Sequence, residues 1–116
     1  MAKIGWMYLN DGLWNGEQIL SKEWIEASTS PKVEVPYLNM ANNYGDHYGY
    51  QWWQRNYQMD GGSVDVYLRS GWGGQAIIAF PDLEMVVVFT GGNYAAENYM
   101  APVHEIVERF ILPAVQ

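Results

Sequence analysis

The sequence predicts an α+β domain in which an antiparallel sheet of about four strands packs against a C-terminal helix, with short helices on the N-terminal side. Two observations lead to this fold class. Short apolar or alternating runs separated by turn residues fill the chain from residue 47 onward. A stripe of apolar residues at helical spacing follows them near the C terminus. We therefore expect one domain over residues 1–116, with a helix-and-turn region over 1–46 and the sheet with its helix over 47–116.

The N-terminal region combines a weak helix, a small hairpin and a second short helix. Apolar residues at helical spacing open the chain, although Gly5 weakens this helix by about 1 kcal/mol relative to alanine. The dipeptides Asp-Gly at 11–12 and Asn-Gly at 15–16 predict tight turns and a hairpin. Ser21 is a natural N-cap for the second helix. Residues 32–46 show no regular period and are expected to form a long loop.

Four segments of the second half predict the strands of the sheet. They are HYGYQWWQR (47–55), VDVYLR (64–69), QAIIAF (75–80) and MVVVF (85–89). The last two are continuous apolar runs, so we expect them to be buried on both faces. A helix should begin at Pro102 and end at Pro113. Its apolar stripe, expected to pack on the sheet, consists of Val103, Ile106, Val107, Phe110 and Ile111.

Composition and charge narrow the classes of function. Hydrophobic residues make up 49% of the chain and aromatic residues 16%, which suits a globular domain whose rings fill a core or a ligand-binding surface. The formal net charge is −7 and no basic stripe occurs, which argues against nucleic acid and anionic membranes as partners. The absence of cysteine excludes disulfides and thiolate metal sites.

The two histidines are the first candidates for chemistry. His47 opens a predicted strand and is interpreted as an ordinary strand-end residue. His104 is expected on the solvated side of the C-terminal helix. The pair lacks the spacing of two metal ligands on one helix face, and no phosphate-binding glycine motif occurs. We therefore expect neither a metal nor a cofactor.

The stretch RSGWGGQ, residues 69–75, stands out for its glycines. Gly71, Gly73 and Gly74 directly precede the most apolar run of the chain, although glycine weakens a strand and adds nothing to a core. One interpretation is a hairpin turn or bulge between two strands. The other is that bare backbone lies beside a ligand and offers its N–H groups to an oxygen atom.

Three strings, in order along the chain, resemble one protein family. They are MAKIGWMYLNDGLWNGEQILSKEWIEAST (1–29), YGYQWW (48–53) and SGWGGQAIIAFPDLEMVVVFTGGN (70–93). Together they resemble the C-terminal part of the serine β-lactamase-related hydrolases, which include class C β-lactamases, DD-peptidases and esterases. The resemblance implies a partial β-lactamase/transpeptidase-like fold. It also implies that the chain is the C-terminal fragment of a larger serine hydrolase that cleaves an ester, amide or peptide by acyl transfer.

The resemblance assigns roles to the glycine stretch. The family has a third sequence box on a sheet strand, which corresponds here to Trp72, Gly73 and Gly74. These residues would bind a small-molecule or peptide acyl substrate, and the backbone N–H of Gln75 would donate half of an oxyanion hole. Trp72 stands where penicillin-recognising members have a cation, which favours an esterase, amidase or peptidase. Arg69 is the candidate for that charge, although its alternation phase predicts a plain surface arginine.

The resemblance also shows what this chain lacks. The family's nucleophile is a Ser-x-x-Lys pair. No lysine stands three positions after any of the five serines, which are Ser21, Ser28, Ser30, Ser63 and Ser70. The Tyr-x-Asn strings at Tyr8 and Tyr37 are interpreted as chance. Because an unassisted serine is a weak nucleophile, we expect the chain alone to be inactive. Its partner would be the absent N-terminal part of the fold, and the surface left open predicts self-association. Family members are often exported, whereas these residues leave the compartment open.

Two hypotheses of other classes stay open. One is an interaction domain whose open sheet edge pairs with another segment. The other is a non-catalytic carbohydrate- or peptide-binding module with an aromatic platform, for which the candidates are Trp6, Trp14, Trp52, Trp53 and Trp72. Adjacent Trp52 and Trp53 point to opposite faces of a strand, so one of them must be core. Trp14 and Trp24 lie among apolar neighbours and are also expected in the core.

Overall fold

The protein is described by a computed structural model that covers residues 1–35 and 44–115, so the string at Tyr37 and most of the expected long loop lie outside it. Its strands are β1 (Leu13–Trp14), β2 (Glu17–Gln18), β3 (Val33–Glu34), β4 (His47–Tyr48), β5 (Trp53–Met59), β6 (Gly62–Gly71), β7 (Gln75–Phe80) and β8 (Met85–Thr90). The helices are α1 (Ala2–Leu9), α2 (Lys22–Thr29) and α3 (Ala101–Ile106), which continues through a π-helical segment (Val107–Ile111) into a last turn (Leu112–Ala114). This confirms the α+β class.

The main sheet has six antiparallel strands in the order β3-β4-β5-β6-β7-β8, so the expectation of about four strands was too low. The two extra strands have different origins. Val33 and Glu34 form β3 inside the predicted loop and pair with Tyr48 and His47. A strand of two residues is too short to show a period, so no local sequence pattern predicts it.

The aromatic segment 47–55 forms two strands instead of one. Tyr48 pairs with Trp53, and the residues between them make a turn in which the Gly49 N–H donates to the Trp52 carbonyl at 2.7 Å. Gln51 has a φ of 69°, in the left-handed region that side chains rarely adopt. Because position 51 is not a glycine, the sequence pattern does not predict this turn.

The N-terminal elements match their sequence signals. Strands β1 and β2 form the predicted hairpin, and both turn residues, Asn15 and Gly16, have positive φ, as a two-residue turn of type I′ requires. The Ser21 hydroxyl caps α2 by accepting from the Trp24 N–H at 3.1 Å.

The sheet is covered on both faces. One face packs against the C-terminal helix in a core that includes Tyr57, Leu68, Ile78, Phe80 and Met100. The other face packs against α1 and α2 in a smaller core of Tyr8, Ile25, Trp52 and Ile77. Strand β7 lies between β6 and β8 and is buried as expected. Strand β8 is only half-buried, because it pairs with β7 alone among the described residues.

The C-terminal helix buries a different face from the one that its apolar stripe predicts. Its buried residues are Val103, His104, Val107 and Leu112, whereas Phe110 is 62% exposed. The π-helical segment causes the difference, since one wider turn brings Leu112 rather than Ile111 below Val107. The wider turn precedes Pro113, which does not end the helix.

His104 is therefore buried, and the expectation of a solvated histidine was wrong. Its Nδ1 atom lies 2.6 Å from the Tyr57 hydroxyl, inside the core between the sheet and the helix. A buried ring nitrogen needs such a partner. Burial also raises the pKa of Tyr57 well above its ordinary value.

Candidate functional site

The glycine stretch forms the turn of a β-hairpin. Strand β6 ends at Gly71 and pairs there with Gln75, the first residue of β7, so Trp72, Gly73 and Gly74 form the turn. Gly73 has a φ of 84° and Gly74 a φ of 86°. Two consecutive residues in the left-handed region require glycine or a similarly tolerant residue. The turn thus accounts for the conformation of both glycines.

The glycines also admit a close neighbour, which is the protein's own chain. A Cβ at Gly73 would lie 2.8 Å from ring carbons of Tyr94, and one at Gly74 would lie 2.8 Å from the Tyr99 carbonyl oxygen. The Asn93 N–H donates to the Gly73 carbonyl at 2.9 Å. Residues 91–99, which lead from β8 to the C-terminal helix, therefore pack directly on the bare backbone of the turn.

Trp72 and Gln75 are both attached to this segment through Tyr94. The Trp72 indole Nε1–H donates to the Tyr94 carbonyl at 3.0 Å, and the Gln75 side chain donates to the Tyr94 hydroxyl at 3.2 Å. Trp72 nevertheless has a 69% exposed side chain. The hydrogen bond fixes one edge of the indole ring, while most of the ring surface faces solvent. An exposed ring that is fixed in this way can pack against an apolar group of a ligand.

The strand edge that is open beside the turn belongs to β6. Gln75 lies between Gly71 of β6 and Thr90 of β8, so β7 has neighbours on both sides. The pairing of β5 with β6 ends at Leu68, and no described strand pairs with the segment from Arg69 to Gly71 on that side. This segment offers backbone N–H and C=O groups to an extended ligand.

A cluster of hydroxyl groups lies on the helix-facing side of this edge. The Tyr44 hydroxyl is hydrogen-bonded to the hydroxyls of Tyr99 and Ser70. Burial, followed by the bond to Tyr99, raises the pKa of Tyr44 to about 12, although the Ser70 hydroxyl opposes this rise. Tyr44 is therefore protonated at neutral pH and is not a general base. No local sequence pattern predicts the cluster, because its members are far apart in the chain.

Arg69 lies on the opposite face of the sheet from Ser70. Its guanidinium carbon is 5.5 Å from the centre of the Trp52 ring, a distance at which a cation is attracted to the ring face. The side chain is half-buried, whereas a plain surface arginine was expected. Arg69 therefore stabilises the packing around Trp52.

The tryptophans divide between core and surface. Trp52 is fully buried, and Trp14 and Trp53 are half-buried. Trp24, expected in the core, is exposed, and its ring stacks on exposed Tyr50 with centroids 5.7 Å apart. Of the residues proposed for an aromatic platform, only Trp6 and Trp72 are largely exposed.

The histidines do not take part in this site. His47 is an exposed residue of β4, as the sequence predicts, and His104 is in the core. Within residues 1–35 and 44–115, no group of three histidine or acidic side chains is placed to hold a metal ion. No helix in this part of the chain is long and apolar enough to cross a membrane.

No protein-family profile matches the chain, and no curated protein matches it.

Proposed function

We propose that this chain is the sheet-bearing C-terminal part of a serine hydrolase related to the class C β-lactamases, DD-peptidases and esterases. In this proposal it forms one wall of an acyl-transfer site and has no hydrolytic activity alone. The nucleophile and its base come from an N-terminal part of the same fold. The resemblance in the motifs is the starting point, and an antiparallel sheet with helices on both faces is compatible with it.

The open edge of β6 beside the glycine turn is the observation that carries the proposal. Arg69, Ser70 and Gly71 have no cross-strand partner on the β5 side among the described residues. An extended acyl or peptide substrate can add to such an edge as one more strand. Its reactive carbonyl would then lie near the turn. The Gln75 N–H, the oxyanion donor that the resemblance implies, faces the paired strands β6 and β8 and is not directed to this edge, so another backbone N–H of the turn would have to take that role. One such donor stabilises a transition state by about 2.7–4 kcal/mol.

The side chains around the edge favour a substrate with an apolar acyl or leaving group. Trp72 presents an exposed indole ring next to the turn, with Gly73 and Gly74 leaving the backbone bare. Arg69 faces Trp52 on the other side of the sheet, so its charge is not directed to the hydroxyl cluster. The site therefore suits an ester, amide or peptide better than a β-lactam carboxylate.

The experiment is to read the coding sequence upstream of Met1 and to assay the longest product. We expect a Ser-x-x-Lys motif there, hydrolysis of p-nitrophenyl butyrate by the longer protein, and no hydrolysis by the 116-residue chain. Trp72→Ala should lower the activity toward this ester, with Trp6→Ala as the control for loss of an exposed tryptophan. An upstream stop codon, or a longer protein without the motif and without activity, would contradict the proposal.

A carbohydrate- or peptide-binding module is the second candidate, and exposed rings favour it. Trp72 and the stacked pair of Trp24 and Tyr50 offer apolar surfaces to solvent. Titration with soluble oligosaccharides, followed by tryptophan fluorescence, tests this function. A shift that Trp72→Ala or Trp24→Ala abolishes would support a binding module, and the absence of any shift would count against it.

A further inference from the structure

A cavity of about 440 Å³ lies on the face of the sheet that packs against α1 and α2. The hydroxyl cluster lies on the opposite face of the sheet. The walls of the cavity come from both helices, from β6 and from the turn between β7 and β8. Apolar groups of Leu9, Ile25 and Pro81 line one part of it. This volume is within the range of pockets that hold small organic molecules.

Two tyrosine hydroxyl groups in this cavity have no hydrogen-bond partner among the described residues. They belong to Tyr8, whose exposed fraction is only 8%, and to half-buried Tyr67. Burial raises the pKa of Tyr67 to about 12, and the Asp11 carboxylate and Tyr8 add to the rise. All three residues line the cavity. Neither oxygen is among the fully buried unpartnered atoms of the described residues, so both reach the solvent of the cavity, where a ligand can replace water as their hydrogen-bond partner.

The charge of the cavity is negative. Asp11, Glu26 and Glu84 line it, with Lys22 as the cation. Lys22 forms an ion pair with Asp11 at 2.8 Å. No described cation forms an ion pair with Glu26 or Glu84. The cavity thus has carboxylates in excess, and they favour a positively charged ligand.

Trp6 supplies an aromatic wall. Its side chain lines the cavity and is 48% exposed, although it belongs to a helix that packs on the sheet. Ring faces attract ammonium groups, and phenol oxygens accept hydrogen bonds from them.

We propose that this cavity binds a small organic ammonium ion with an apolar body. The three N–H groups of the ammonium donate to the carboxylates of Glu26 and Glu84 and to one tyrosine hydroxyl, that of Tyr8 or Tyr67, while the apolar body lies against Trp6. The inference does not depend on the proposed hydrolase function, because it uses different residues on the other face of the sheet.

Titration with the phenethylammonium ion and with its uncharged counterpart 2-phenylethanol tests this proposal. The indole N–H signal of Trp6 in the NMR spectrum, assigned with Trp6→Phe, reports occupancy. We expect the cation to shift this signal and to bind about tenfold more tightly than the alcohol. Glu26→Gln and Glu84→Gln should each weaken binding about threefold, whereas Glu17→Gln, an exposed acid outside the cavity, should leave it unchanged.

The outcomes separate the proposal from simpler explanations. Equal binding of the cation and the alcohol would mean an apolar cavity without charge selectivity and would overturn the proposal. Equal effects of Glu17→Gln and Glu26→Gln would show attraction by net charge alone, which also overturns it. The absence of a Trp6 shift at about 10 mM phenethylammonium would do the same. Because the three acids are exposed, these variants should fold normally.

Discussion

Replacing Gly74 by alanine should destabilise the protein more than the same change at Gly61. Both residues have positive φ, 86° and 84°, but a Cβ at Gly61 would have open space around it. Alanine in this conformation costs about 1–2 kcal/mol, and the less flexible unfolded chain returns about 0.4–1 kcal/mol. Gly61→Ala should therefore lower the free energy of unfolding by about 1 kcal/mol.

Gly74→Ala adds a steric cost, since its Cβ would lie 2.8 Å from the Tyr99 carbonyl oxygen. That oxygen belongs to the backbone and cannot turn away as a side chain can. Overpacking of this kind costs about 1–3 kcal/mol, so the total loss should be about 2–4 kcal/mol. Gly73→Ala should fall between the two variants, because its neighbour is the ring of exposed Tyr94.

Urea denaturation followed by far-UV circular dichroism measures these differences, with Gly61→Ala as the matched control for the conformational cost. If Gly74→Ala and Gly61→Ala have the same midpoint, residues 91–99 do not pack on the turn as described, and the steric argument is wrong.

Three further predictions concern the core, alkaline pH and association. Tyr57→Phe should lower the free energy of unfolding by about 1–3 kcal/mol in chemical denaturation, because it leaves buried His104 without the hydroxyl at 2.6 Å, and Tyr67→Phe should cost less. The pKa values of Tyr44 and Tyr67 rise from 10.0 to about 12 in the fold. Their contribution to the free energy of unfolding is therefore complete below pH 10 and is lost as the pH rises through 12. The free energy of unfolding of Tyr67→Phe should fall less steeply with pH over this range. Light scattering should show self-association that Phe110→Lys reduces, since this ring is 62% exposed, and a monomer at high concentration would contradict this.

Local sequence signals predicted most of the second half of the fold. The alternation of Val64, Val66 and Leu68 placed the buried face of β6, and a hairpin turn was one of the two interpretations of the glycines at 73–74. Such signals succeed because strand alternation and positive φ act within a few residues.

Other features depend on contacts between distant residues. His104 is buried because Tyr57 of β5 provides a hydrogen bond, and the exposure of Phe110 follows from the π-helical segment before Pro113. The hydroxyl cluster joins Tyr44 and Ser70 through side chains that are remote in sequence. No period or propensity within one element contains this information.

The contact between the glycine turn and the segment after β8 makes one backbone amide a reporter of the site. The Asn93 N–H is held by the Gly73 carbonyl, and it can exchange its hydrogen with solvent only when the two backbones separate. A ligand that clamps the turn would slow exchange at Asn93, although Asn93 itself need not touch the ligand. The exchange rate of the Asn93 amide in deuterated water therefore reports whether a ligand occupies the site, and this measurement needs no added label.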